Sequence, residues 1–85
     1  MSTIEKQGGY IKFLRRVMKD PDIAEKFQCV AKAELANLLQ KESHSKKDHY
    51  EALVLLGEII KSKNSRYIDR QFAKKNYKKL RDYIY

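Results

Sequence analysis

The sequence predicts an all-α protein, a compact bundle of about four helices. Three observations carry that prediction. Glycine and proline are scarce, three and one in 85 residues. The strict apolar–polar alternation of a half-buried strand is missing throughout. Apolar residues instead recur at helical spacing in every segment long enough to test. The expected helices span about 10–19, 21–40, 46–63 and 66–84.

Residues 1–9 read as a flexible N-terminal tail before a single helical domain, 10–85. Ser2-x-x-Glu5 has the form of a capping box, but Gly8-Gly9 follows at once and should break a helix there. In the first helix Tyr10, Phe13, Leu14, Val17 and Met18 fall at i, i+3, i+4, i+7 and i+8, one apolar face. Lys12, Arg15, Arg16 and Lys19 form a basic stripe beside it.

Asp20-Pro21-Asp22 marks the start of the second helix. Asp20 suits the cap and Pro21 the first helical position. Asp22 and Glu25 place negative charge at the positive end of the helix dipole. Ile23, Phe27, Val30, Ala31, Leu35 and Leu38 share one face, and Glu34 falls inside it. An ion pair to a basic residue of the first or last helix is its expected fate; a contact with a partner through a gap in the bundle is the alternative. Cys29 lies off that face and reads as a small, partly buried hydrophobe.

Residues 41–47 hold no apolar residue and read as a loop. Ser45-x-x-Asp48 resembles a capping box for the third helix. Ala52, Leu53, Leu56, Ile59 and Ile60 form that helix's main face, and Val54 and Leu55 widen it. Such breadth points to the central helix of a bundle. Gly57 borders the face, where a missing side chain lets another helix approach. Asn64 is expected to end the helix in the left-handed conformation and Ser65 to cap the fourth. There Ile68, Phe72, Ala73, Leu80, Tyr83 and Ile84 lie to one side, and Arg70, Lys74, Lys78 and Arg81 to the other.

Charge gives the best clue to function. The chain carries 19 Lys and Arg against 11 Asp and Glu, net +8. Residues 1–19 hold five basic and one acidic residue, and residues 66–85 hold seven and two, so the two ends are net +4 and +5. Residues 20–42 are net −2 and residues 43–65 net +1. A basic surface suits nucleic acid or an acidic protein. The leading expectation is a nucleic-acid-binding, regulatory module. It would contact phosphates through Lys12, Arg15, Arg16, Lys19, Arg66, Arg70, Lys74, Lys78 and Arg81, with Tyr67 at the border of the basic face. Gln71 and Asn76 would reach base edges if the last helix entered a groove. Helices three and four are loosely like a helix-turn-helix, without its turn glycine. The alternative is a small interaction protein, of the inhibitor, anti-factor, immunity or accessory kind, that binds an acidic partner. Its mark would be an exposed apolar patch edged with charge, sought first at Leu39, Val54 and Leu55. Surplus apolar surface on the third helix also admits a homodimer.

Enzymatic activity is not expected. Glycine-rich phosphate loops, paired carboxylates and Ser/His/Asp arrangements are missing from the sequence. No cofactor is implied. His44 and His49 are five apart and lack further ligands, so no metal site is expected. Tyr10 and Tyr83 are expected to cap the core. The longest apolar run, Ala52 to Leu56, is far short of the roughly 20 residues of a membrane span. The single cysteine and the want of an apolar leader in residues 1–20 suggest a reducing cytoplasm.

Overall fold

The computed structural model describes residues 8–85. Four α-helices account for most of them: α1, Gly8–Lys19; α2, Glu25–Glu42; α3, Lys46–Lys61; and α4, Tyr67–Ile84. No strand occurs among the described residues, so the all-helical bundle predicted from periodicity is what forms. The Ser2-x-x-Glu5 sequence lies outside the described residues.

The helix ends show where local chemistry beat the pattern. The first helix already includes Gly8 and Gly9 where the described residues begin, so the break expected at that pair does not occur. The second begins at Glu25, not at Pro21. Asp20 is already committed to a turn of its own: its Oδ1 accepts the Asp22 N–H at 2.9 Å and its carbonyl accepts the Ile23 N–H at 3.2 Å. Gln28 Nε2 donates to the same carbonyl at 2.6 Å. Ala24 is left at the cap position with no side-chain bond.

Ser45 caps α3 as expected, accepting the Asp48 N–H at 3.4 Å. The reciprocal half of the box is rerouted. The Asp48 carboxylate accepts from Ser43 Oγ at 2.6 Å, and Ser43 Oγ in turn accepts the Ser45 N–H at 3.1 Å. At the other end α3 stops at Lys61. Ser62, in an extended conformation, donates its N–H to the Glu58 and Ile59 carbonyls. No non-glycine residue among those described has positive φ, so Asn64 does not make the left-handed stop expected of it. Ser65 does not cap α4 either. Its hydroxyl turns back to the Ile59 and Ser62 carbonyls, each at 3.1 Å, and Arg66 occupies the cap position.

The core centres on Cys29, Leu35, Leu39, Leu56 and Ile59, all fully buried. Cys29 is therefore a core residue rather than a marginal one. The central helix is α2, not the more apolar α3. It packs against all three others, whereas α3 packs along α2 and α4. Ala31, Ala33 and Ala36, all buried, let neighbours approach α2 from several sides. The apolar breadth of α3 is partly surplus: Leu55 is buried, but Val54 is exposed. Gly57 faces the ring of Tyr77, and a Cβ built there would meet Tyr77 Cε2 at an ordinary 3.5 Å. The close approach expected there leaves room for a methyl group.

Candidate functional site: an open trench on the second helix

The first and last helices do not pack on one another. No Cα of α1 comes within 8 Å of a Cα of α4. They flank α2 instead, and the outer surface of α2 is left as the floor between them. Two depressions meet on that floor. One lies between α1 and α2 and is walled by Tyr10, Phe13, Val17 and Phe27. The other lies between α2 and α4 and is walled by Ile68, Phe72, Asn37 and Lys41. Val30 and Glu34 line both, so the two form one trench.

The trench walls are apolar and open. Phe13 is 54% exposed, Phe27 55% and Ile68 67%. The sequence assigned all three to the core, along with Tyr10, which is also exposed. The reason is geometric. Their faces of α1, α2 and α4 point to where a further helix would complete the bundle, and the described residues supply none. Tyr10 and Phe13 instead stack on each other, with centroids 6.4 Å apart, and the Lys26 ammonium sits 5.3 Å from the centre of the Phe27 ring. Glu34 is exposed on the floor and makes no ion pair among the described residues. The internal ion pair expected for it does not form, because α1 and α4 stand to either side of it rather than over it.

The basic residues singled out in the sequence divide into two groups. On α1, Lys12, Arg16 and Lys19 are exposed, but Arg15 turns inward to Glu51 of α3, with Nη2 donating to Glu51 Oε1 at 3.1 Å and Nη1 to Oε2. That pairing raises the Arg15 pKa further above its already high ordinary value. On α4, Arg66 is bidentate to Asp69, at 2.7 and 3.2 Å, and Arg70 folds back on Ser65, donating to its carbonyl at 3.0 Å. These three arginines are each engaged within the protein, Arg15 and Arg66 with carboxylates and Arg70 with Ser65. Tyr67, Lys74, Lys78 and Arg81 are exposed, with Arg81 Nε 3.6 Å from Asp82 Oδ1. The stripes of α1 and α4 therefore do not fuse into one patch by direct packing.

Two exposed lysines were missed, Lys75 and Lys79. They continue the row Ile68, Phe72 at i+7 and i+11, so they lie on the trench side of α4. Their spacing was legible, but that side was read as core. Tyr83, also read as core, is exposed and meets the buried His49 ring edge-on at 5.7 Å. The His49 Nε2 lies 2.6 Å from the Ser43 carbonyl, a structural bond. No group of three metal-ligating side chains gathers among the described residues, and none of the described helices is long and apolar enough to cross a membrane. No family model, curated protein or solved structure matches the chain.

Proposed function

We propose that this protein is a helical interaction module that takes an acidic amphipathic helix of a partner protein into the trench on α2. The observation that carries the reading is the open apolar trench itself, which leaves Phe13, Phe27 and Ile68 more than half exposed. Large exposed apolar surface with a charged border is characteristic of sites that bind another protein. The shape suits a helix: the walls to either side of the floor supply hollows that side chains at i, i+3, i+4 and i+7 would fill.

Charge selects the partner's flanks. Arg16 lies one turn beyond Phe13 on α1, and Lys75 and Lys79 continue the row of Ile68 and Phe72 on α4. Lys41 stands at one end of the floor. Arg66 is neutralised by Asp69, so Glu34 is the lone unpaired carboxylate lining the trench. A helix with acidic residues beside its apolar stripe complements these borders, and a basic one is repelled.

A synthetic amphipathic peptide of about five turns, with leucines on one face and glutamates beside them, tests the reading when set against its lysine-flanked counterpart. Fluorescence anisotropy should give micromolar binding for the acidic peptide only. Phe13→Asp and Ile68→Asp should each weaken it more than about tenfold. Equal binding of both peptides, or full binding by both variants, would sink it.

A second reading, nucleic-acid binding, rests on a different observation: Lys74, Lys75, Lys78, Lys79 and Arg81 are all exposed within two turns of α4. A labelled duplex and a labelled single strand, titrated across about 50–300 mM salt, separate the two readings. Steeply salt-dependent binding, lost on Lys74→Ala with Lys78→Ala but unchanged by Phe13→Asp, would favour it over the trench.

A further inference from the structure

A second cavity opens where the link between α2 and α3 meets the last two turns of α4. Its volume is about 280 Å³. Lys41, Lys79, His44, His49, Tyr83 and Gln40 are among its lining residues, and no carboxylate is. A neighbouring depression that shares His44, His49 and Tyr83 adds Lys46 to the same corner. A low-dielectric hollow with several lysines and no acidic wall raises the local concentration of anions.

The Gln40 side chain gives the cavity a further demand. Asn76 Nδ2 donates to the Phe72 carbonyl at 2.9 Å, which fixes the amide and turns its Oδ1 toward α2. Gln40 Nε2 donates to that oxygen at 3.3 Å. The Gln40 Oε1 is then buried with no donor to satisfy it. Exchanging the two ends of the Gln40 amide would set oxygen against oxygen, so the Asn76 bond dictates which atom is left over. A buried acceptor without a partner is a cost to the fold that a ligand donor would remove.

The surrounding wall is already held in place. Ser43 is fixed by Asp48 and the Ser45 N–H, and its carbonyl takes the His49 imidazole at 2.6 Å. Tyr83 is exposed beside that imidazole, offering an aromatic surface to a flat ring. The volume lies at the low end for small-molecule sites, enough for one ring with short substituents.

We propose that this cavity binds a small aromatic anion that also carries a hydroxyl or amino donor. The anionic group, a carboxylate or a phosphate ester, pairs with Lys41 and Lys79. The ring lies against Tyr83, and the donor satisfies Gln40 Oε1. This site shares Lys41 with the end of the trench, whereas Gln40, His49 and Tyr83 line the cavity alone.

Amide chemical shifts of the full chain, followed during titration with 4-hydroxybenzoate, benzoate, phenol and 4-hydroxyphenyl phosphate, test the proposal. At least one of the two hydroxylated anions should saturate with a dissociation constant of about 1 mM or tighter, a modest demand for so few atoms. Shifts should centre on residues 40–49 and 79–84. Which hydroxylated anion binds more tightly decides between carboxylate and phosphate ester. Benzoate should bind several-fold more weakly than 4-hydroxybenzoate, and phenol not measurably. Lys41→Ala with Lys79→Ala, both exposed positions, should weaken the anions at least tenfold. Gln40→Leu should abolish the preference for 4-hydroxybenzoate over benzoate while leaving benzoate itself unchanged. The proposal is overturned if neither hydroxylated anion saturates by about 10 mM, if phenol binds as well as they do, or if Gln40→Leu keeps the preference.

Discussion

The two sides of α2 make opposite use of similar residues. Toward α3, Cys29, Leu35, Ala36 and Leu39 are 0–2% exposed, sealed against Leu56 and Ile59. Toward solvent, Phe27 is larger than any of these and remains open, with the half-buried Val30 near it and the exposed Glu34 and Lys41 beyond. One helix thus carries two apolar faces, and only one has a partner within the described chain. Exposure of a large apolar residue is ordinary for a single side chain; a row of them along three helices is not.

The largest expected effect comes from the sealed side. Leu56→Ala should cost about 3 kcal/mol and lower Tm by more than about 10 °C in thermal unfolding. A much smaller loss would mean that this side is as loose as the trench. On the open side, Phe13→Ala combined with Phe27→Ala should cost less than about 1 kcal/mol by denaturant unfolding while reducing binding of the acidic peptide at least tenfold. A large stability loss there would make these residues core after all and erase the contrast.

Gly57→Ala probes the seam between α3 and α4. Its new methyl would meet Tyr77 Cε2 at a comfortable 3.5 Å. Helix propensity should then raise stability by about 0.5–1 kcal/mol. Destabilisation instead would show that the seam has no slack.

The smallest effect concerns pH. Glu25 accepts from Ser62 Oγ at 2.6 Å and from Asn64 Nδ2 at 2.9 Å, and these bonds hold its carboxyl below the ordinary value of 4.5. A carboxyl lowered by folding adds stability that is complete above the ordinary value and lost as the pH falls through the folded one. Unfolding midpoints recorded from pH 6 down to pH 3 should therefore fall less steeply in Glu25→Gln than in the parent chain, with the difference confined to the acid end. Parallel curves would assign the clamp no net worth.

The sequence made the helices legible because their periodicity is strong and breakers are few. It placed Leu35, Leu38, Leu53, Leu56 and Ile59 in the core, and all are buried. It misplaced helix ends wherever a side chain had a nearer use, as with Asp20 and Ser65. For the trench it supplied the residues but not their fate. Period-3.6 patterning reports that Phe13, Phe27 and Ile68 lie on apolar faces, and not whether anything covers them. Helical spacing likewise set Arg15 and Arg70 among the outward cations, while their partners, Glu51 and Ser65, stand on α3 or in the link after it. Contacts between elements are invisible to any periodicity within one of them. The orphaned Gln40 oxygen belongs to the same class, since it exists only because Asn76 is already engaged.

The anchoring of α1 has a dynamic consequence. It packs along α2 alone, and the Arg15–Glu51 pair is its strap to α3. Exposed pairs of this kind contribute at most about 1 kcal/mol. The helix is thus a sub-global unit that opens before the rest, and its amide hydrogens should exchange with deuterium faster than those of α2 or α3. Each such opening bares the underside of Leu14 and the surface of Ala31 that it covered. Under the proposed function, a helix docking in the trench would meet a near wall that can yield to admit it.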